Sequence, residues 1–416
     1  MKPIHYCIPF FNLLLAALLG LLLRSAFVFP LEGMTFLYVL HGHSHVALLG
    51  WLYLFVYVVL VDQFAQDTPK ERKFYRQLFW VTQGAVLGMA VTFPFQGYAA
   101  PSIVFSTLHI LCSYVFVYRL WNRHKKVEQQ RLLWLKTALF FMVFSTLGVW
   151  FLGPAIGMMG KVSTFFQLCI QFFLHFQFDG WFFTAFIAIL YSYAFSNPLQ
   201  QQLFKKGYVL WIVSVVLTYA LPASWYVSNP ILFYLNGGGV LLQALVLYML
   251  CKALILKYTE EKVNSSFWEK GLLLLAISCM GIRLVLQLVT LIQPLAHVLQ
   301  GMRSWIVGFI HLNMLGIFTA LGVWLFIQKK RIILTLWTKV GCTCLVLGFL
   351  LTEGVLGIQG AQQWLGTSWI SSHTIFQLLF WASIFLPLSV VCFLFNIEWK
   401  KERINRNTSE IHRTRK

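Results

Sequence analysis

An all-α integral membrane protein of about twelve transmembrane helices is the fold class that the sequence predicts, on three observations. The chain has 416 residues, of which 59% are hydrophobic and 11% charged, against roughly 25% charge in a soluble domain. Its apolar runs recur at the length of about 20 residues that a bilayer requires. Its net charge of +19 is confined: every Lys and Arg except Arg24, Lys161, Arg283 and Arg303 falls in the N-terminus, in alternate short loops and the span ends that adjoin them, or in the C-terminal tail. In a soluble protein such a balance suggests nucleic acid, but these residues edge a membrane and line no single binding face, so no nucleic-acid partner is expected. The positive-inside rule places both termini and the basic loops in the cytoplasm. The expected setting is the cell (inner) membrane, crossed many times, with the lipid bilayer as partner.

Taken in order, the spans are predicted at 7–29, 36–61, 78–96, 101–120, 134–153, 163–194, 208–227, 231–256, 271–294, 304–328, 335–357 and 370–395. Residues 1–399 read as a single polytopic membrane domain and 400–416 as a basic cytoplasmic tail near anionic lipid. The first run is longer than a signal-peptide core and has no small-x-small cleavage site, so it reads as a retained helix. The eight cysteines form no C-x-x-C pair and read as buried small hydrophobes. Pro94, Pro154, Pro222 and Gly237-Gly238-Gly239 are candidate helix breaks.

Histidine is rare inside a membrane because its polar ring needs a partner there. Here His41, His43, His45, His109, His175, His311 and His373 all fall toward the same end of their spans, forming one layer. His5, His124 and His412 lie in cytoplasmic segments and read as solvated. The second, sixth and tenth spans share a pattern, His-x4-Gly followed by a bulky residue: His45 to Gly50, His175 to Gly180 and His311 to Gly316. The histidines are 130 and then 136 residues apart, which suggests three pseudo-repeated four-helix units in parallel orientation. A glycine five residues after a histidine leaves a notch where a neighbouring helix or a flat ligand can approach the backbone.

Around the helix His41 and His45 are about 40° apart while His43 lies about 160° from each. Two can therefore serve one site, and His43 is read either as bonded to a neighbouring carbonyl or as a metal ligand. His41, His45 and His311 are the candidate cofactor ligands, and His43, His175 and His373 the candidate metal ligands. His109, Gln177, Asp179 and Asn313 are candidates to orient them. Asp179 is read equally as a partner for Arg24 or Arg283, since neither arginine can sit unpaired in lipid.

Twelve helices with histidines on the second, sixth and tenth resemble subunit I of the haem-copper oxidase superfamily, including its nitric oxide reductase and cbb3-type branches. The run from His175 to Thr184-Ala185 is similar to the sixth-helix His-Asn-Ala-Val-Gly-Phe-Phe-Leu-Thr-Ala pattern of the cbb3 branch, with one residue inserted before Gly180. The resemblance implies a low-spin haem ligand at His41 or His45, a non-haem metal ligand at His175 and a haem ligand at His311. Asn313 stands where the family has a second tenth-helix histidine, and spans seven and eight hold none of the copper-binding pair. A standard binuclear centre is therefore not transferred. The segment from His43 to Gly50 also resembles the His-Ala-His-Glu-Met-x-x-Gly motif of haem- and copper-containing membrane proteins of the nitric oxide response, with Val46 in place of the acid.

Neutral imidazole suits iron and copper, and haem fits between helices with axial histidines. The expectation is a haem- and/or copper-binding protein of respiratory electron transfer or of oxygen or nitric oxide handling. In its enzymatic form it would be an oxidoreductase, with a c-type cytochrome or another redox carrier as partner. The alternatives are a non-enzymatic transporter or sensor that uses the histidine layer for metal or proton, and a structural subunit.

Overall fold

The computed structural model describes residues 1–29, 32–194, 198–260 and 266–399. The tail from 400, with His412, and the turn at 195–197 lie outside them. Twelve helices are long and apolar enough to cross a membrane: α1 Pro3–Ser25, α2 Phe36–Phe64, α3 Pro69–Gln96, α4 Ala100–Asn122, α5 Gln129–Met159, α6 Thr164–Tyr191, α7 Phe204–Ser224, α8 Ile231–Leu256, α9 Phe267–Val289, α10 Arg303–Gln328, α11 Leu336–Leu365 and α12 Ser372–Leu394. The protein is an all-helical membrane protein, with no strand among the described residues.

Local chemistry sets the ends. Thr68 accepts the Glu71 amide at 3.2 Å ahead of Pro69, which begins α3, and Ser163 accepts the Phe166 amide at 3.3 Å at the start of α6. Ser266 and Glu269 form a reciprocal capping box at α9, with bonds of 2.7 and 3.3 Å. Gly366, with φ +63°, closes α11 in the left-handed conformation that favours glycine.

Two sequence expectations are corrected here. Pro94 and Pro154 sit inside continuous helices and Gly237–239 inside α8; among the candidate breaks only the region of Pro222 is interrupted, where the helix stops at Thr218 and resumes at Ala220. His5 is 1% exposed, its ring against Phe79 and Trp80, because the first turn of α1 packs on α3 instead of entering solvent. A short helix, Gln293–Gly301, also bridges α9 and α10 where the sequence reading had a loop.

The twelve helices form three four-helix units. In each, the second helix packs on the first, and the third packs on the second and fourth. Contacts of α4 with α5, α8 with α9 and α12 with α1 close the units into a ring. Inside it stand α2, α6 and α10, whose apolar windows are 78%, 78% and 67% buried, against 39–44% for the other nine. Phe55, Phe186, Phe318 and Phe326 fill the space between them, with ring centroids 4.9 to 6.1 Å apart.

Each inner helix changes its winding at the same place. Val46–Leu52, Phe176–Phe183 and Leu312–Thr319 are π-helical, each starting one residue after His45, His175 or His311. A π turn accommodates an extra residue and leaves carbonyls without their usual partner. Asn12 of α1 donates to the Gly50 carbonyl at 2.9 Å and is held by a reciprocal amide pair with Gln83 of 2.8 and 3.0 Å. Thr184 and Thr319 donate to carbonyls five residues back, Asp179 at 3.3 Å and Met314 at 2.7 Å. Neighbouring helices fill the notches at the three motif glycines. A Cβ at Gly50 would lie 2.8 Å from Val86, at Gly180 2.8 Å from Phe141, and at Gly316 2.6 Å from Cys279.

Gly180→Ala is accordingly expected to destabilise the protein by about 1–3 kcal/mol, the usual cost of overpacking. Gly238→Ala, where nothing lies within 4 Å of the new methyl, is expected to leave the thermal midpoint in detergent unchanged. Equal midpoints for the two variants would contradict the packing role of the motif glycine.

Candidate functional site

The histidine layer resolves into three separate clusters and one outlier. The first lies within unit one. His41 and His45 point the same way, as their spacing predicts: the His45 ring stacks on Phe93 at 4.2 Å, and the His41 ring meets Tyr98 edge-on at 4.6 Å. His45 donates from Nδ1 to the His41 carbonyl at 2.9 Å. His109 of α4, 2% exposed, lies edge-on to Tyr53 at 4.6 Å and close to the Leu49 carbonyl inside the π turn. His45 and His109 are near enough for a charge on one to act on the other.

The second cluster joins units two and three. Nε2 of His175 donates to the Val215 carbonyl of α7 at 2.7 Å, and Nδ1 faces the Asp179 carboxylate at 3.5 Å. Asp179 is ion-paired and hydrogen bonded to Arg283 of α9. The guanidinium lies over the Phe183 ring, 4.4 Å from its centroid, and reaches Gln243 of α8 at 3.4 Å. Of the two arginines that the sequence offered, Arg283 is therefore the partner of Asp179. Gln177 orients no histidine; its amide donates to Ser145 of α5 at 2.9 Å.

The third cluster joins units one and three. His43 points away from His41 and His45 toward α1, where Nδ1 donates to the Ala16 carbonyl at 2.9 Å. His311 of α10 faces Glu353 of α11, Nδ1 to Oε1 at 3.7 Å, and neither atom has a hydrogen-bond partner. Arg24 lies within electrostatic range of Glu353 and of both histidines, and His43 within range of His311. Asn313 donates to the Phe309 carbonyl of its own helix at 2.6 Å, leaving its oxygen without a partner. His373, by contrast, is exposed in the first turn of α12 and joins none of the clusters.

This arrangement tests which cofactors the residues suit. A protein-held copper or zinc ion takes three or more ligands, and among the described residues no three His, Cys, Asp or Glu side chains converge in that way. The family's copper site is thus not assembled from these residues. Haem needs only two axial imidazoles. A ligating histidine characteristically has its other ring nitrogen fixed by a carbonyl or carboxylate. His43 meets that condition, with Nδ1 bonded to the Ala16 carbonyl; Nδ1 of His311 faces Glu353 at 3.7 Å without a hydrogen bond, and neither ring's Nε2 is hydrogen bonded among the described residues. His175 does not, because both of its nitrogens are engaged. Two open pockets, of about 350 and 290 Å³, lie elsewhere: one between α9 and α11 beside Trp268 and Val346, the other beside Gln359 and Thr367.

No known family model matches the chain, and no curated protein does.

Removing one partner of a buried ion pair leaves a charge uncompensated, at about 3–5 kcal/mol. Asp179→Asn is expected to lose stability on that scale, and the pair Asp179→Leu with Arg283→Met to recover most of it. Additive losses in the double variant, read from unfolding midpoints in detergent, would show that Asp179 and Arg283 do not depend on each other.

Proposed function

We propose that this protein is a haem-binding membrane protein that carries electrons, with His43 and His311 as the residues that would hold the haem. The observation that carries the reading is this pair itself: two imidazoles on different inner helices, His43 fixed through Nδ1 and His311 facing a carboxylate, within electrostatic range across the seam of units one and three. A haem held by two imidazoles exchanges single electrons with no coordination position left open for oxygen. The residues' own part is positional. Ala16 fixes the His43 ring, Glu353 faces that of His311, and Arg24 supplies a cation beside which the carboxylates of such a group could sit.

The pair lies about 10–12 Å along α2 and α10 from their starts, at 1.5 Å per residue. Those starts are at the end opposite the basic loops. With the basic loops cytoplasmic, a c-type cytochrome or comparable carrier would meet the protein on the outer side. Electron transfer fits this ligand set better than oxygen or nitric oxide reduction, for which no three-ligand metal site is assembled among the described residues.

A second reading, a proton-coupled transporter or sensor, is favoured by one observation. The facing atoms of His311 and Glu353 are buried and without hydrogen-bond partners, as in a proton relay.

One measurement separates the two. Protein purified from haem-replete cells is expected to show a Soret band that His43→Ala and His311→Ala each abolish or shift and that His175→Ala leaves in place. A colourless wild-type protein, or a band insensitive to both of the first two variants, would sink the haem reading and favour the relay.

A further inference from the structure

At the end of the ring that carries the basic loops, cations gather over the last turn of α2. Nζ of Lys125, from the α4–α5 connection, donates to the Asp62 carbonyl at 3.1 Å. Arg131, in the first turn of α5, bonds Gln63 and the Ala188 carbonyl, and its guanidinium lies 4.4 Å from the Phe64 ring centroid. Arg331, from the α10–α11 connection, lies 4.6 Å over the ring of Tyr6, whose hydroxyl bonds the Asp62 carboxylate. These three and Lys329 are half-buried, whereas Arg123, Lys126 and Lys330 of the same connections are exposed. Basic residues that only fix orientation are as well served by full solvation, and turning a cation inward costs free energy unless an anion meets it.

The protein supplies little of that anion. Asp62 is engaged by the Met1 amino group at 2.9 Å. Asp67 pairs with Arg72, Glu71 with Arg119, Glu128 accepts from Tyr191 and Glu269 from Gln328, while Glu398 meets Arg331 through its backbone amide. Among the described residues, none of Lys125, Arg131, Lys329 and Arg331 is ion-paired with a carboxylate. The end of a helix offers only about half an elementary charge. Burial first, and then Arg131, Arg331 and Lys125 acting against Asp62, pull the Lys329 ammonium down to about 8. Backbone bonds hold the cations in place: the Lys125 amide to Phe64 at 2.8 Å, and the Arg331 amide to Phe326 at 2.7 Å.

We propose that Lys125, Arg131, Lys329 and Arg331 form a binding site for a phosphate group of two or more negative charges. Two planar guanidinium forks with two ammonium groups suit the several oxygens of a phosphate better than a single carboxylate. The phosphate is carried either by a soluble molecule or by an anionic lipid headgroup, and the recognition chemistry is the same. The site lies at the opposite end of α2 and α10 from His43 and His311, so it stands or falls independently of the haem reading.

The test is calorimetric titration of the purified full-length protein with inorganic pyrophosphate in phosphatidylcholine nanodiscs, and native mass spectrometry of protein from discs that also contain phosphatidic acid. A soluble source predicts saturable binding of one pyrophosphate per chain; a lipid source predicts retention of phosphatidic acid over phosphatidylcholine. In whichever arm binds, Arg131→Gln and Arg331→Gln are each expected to weaken binding about tenfold, the loss of one charge-assisted bond. Lys126→Gln and Lys330→Gln, which remove the same charge at exposed positions, are expected to leave it unchanged. Without any variant, pyrophosphate or phosphatidic acid is expected to raise the wild-type thermal midpoint above that in sodium chloride of equal ionic strength. The proposal is overturned if neither probe binds saturably, or if the exposed-lysine variants lose binding as much as the arginine variants do.

Discussion

A membrane helix must satisfy its backbone polar groups within the protein, because lipid offers no partners. In this molecule each of the three inner helices breaks its regular bonding at the level of a histidine, and much else follows from how those turns are satisfied. Asn12 answers the carbonyl of Gly50, while threonine hydroxyls answer those of Asp179 and Met314. Trp51 and Trp211 in turn donate to Thr319 and Thr184, at 3.2 and 2.8 Å. The first of these bonds ties α2 to α10 and the second ties α7 to α6. The local departure from α geometry is thereby built into the contacts that hold the units together.

The repeated winding gives each unit the same scaffold but not the same chemistry. In unit one the rings of His45 and His109 lie among aromatic groups, without charged side chains. In the seam between units two and three, His175 is committed to a carbonyl and an ion-paired carboxylate. In the seam between units one and three, His311 faces Glu353, and neither facing atom is hydrogen bonded. What differs is the donor that the neighbouring unit supplies: Arg283 fixes Asp179 outright, whereas Arg24 reaches Glu353 only through space. A single motif thus yields one closed charge pair and two places where imidazole nitrogens stay uncommitted.

Most of the fold was legible in the sequence. Predicted spans at 36–61, 231–256 and 304–328 match α2, α8 and α10 to within a few residues, because hydropathy and the edging charges report directly on bilayer thickness. The His-x4-Gly repeat was the visible trace of the three π turns. Their winding was not legible, since an apolar run with one extra residue per turn keeps the same composition. His5 was misread because a polar residue beside a basic terminus looks solvated until the neighbouring helix is known. The partners of His43 and His311 were hidden for a different reason. Periodicity states which residues share a face of one helix, but not which face of another helix meets it. His43 was correctly set on the far side from His41 and His45, yet its neighbours Ala16, Arg24 and His311 come from α1 and α10.

The closure of the ring has a consequence for how the chain is made. Arg24 belongs to α1, and Glu353 to α11, ten helices later in the chain. During vectorial synthesis the guanidinium therefore reaches the bilayer long before its carboxylate exists, and α1 lacks its contact with α12 until that helix arrives. An unpaired arginine near a helix end can wait by snorkelling to the interface, which is where Arg24 stands, one residue before the end of α1. The order of the helices makes the seam between units one and three the last to form, so the residues that face one another there meet only in a finished protein.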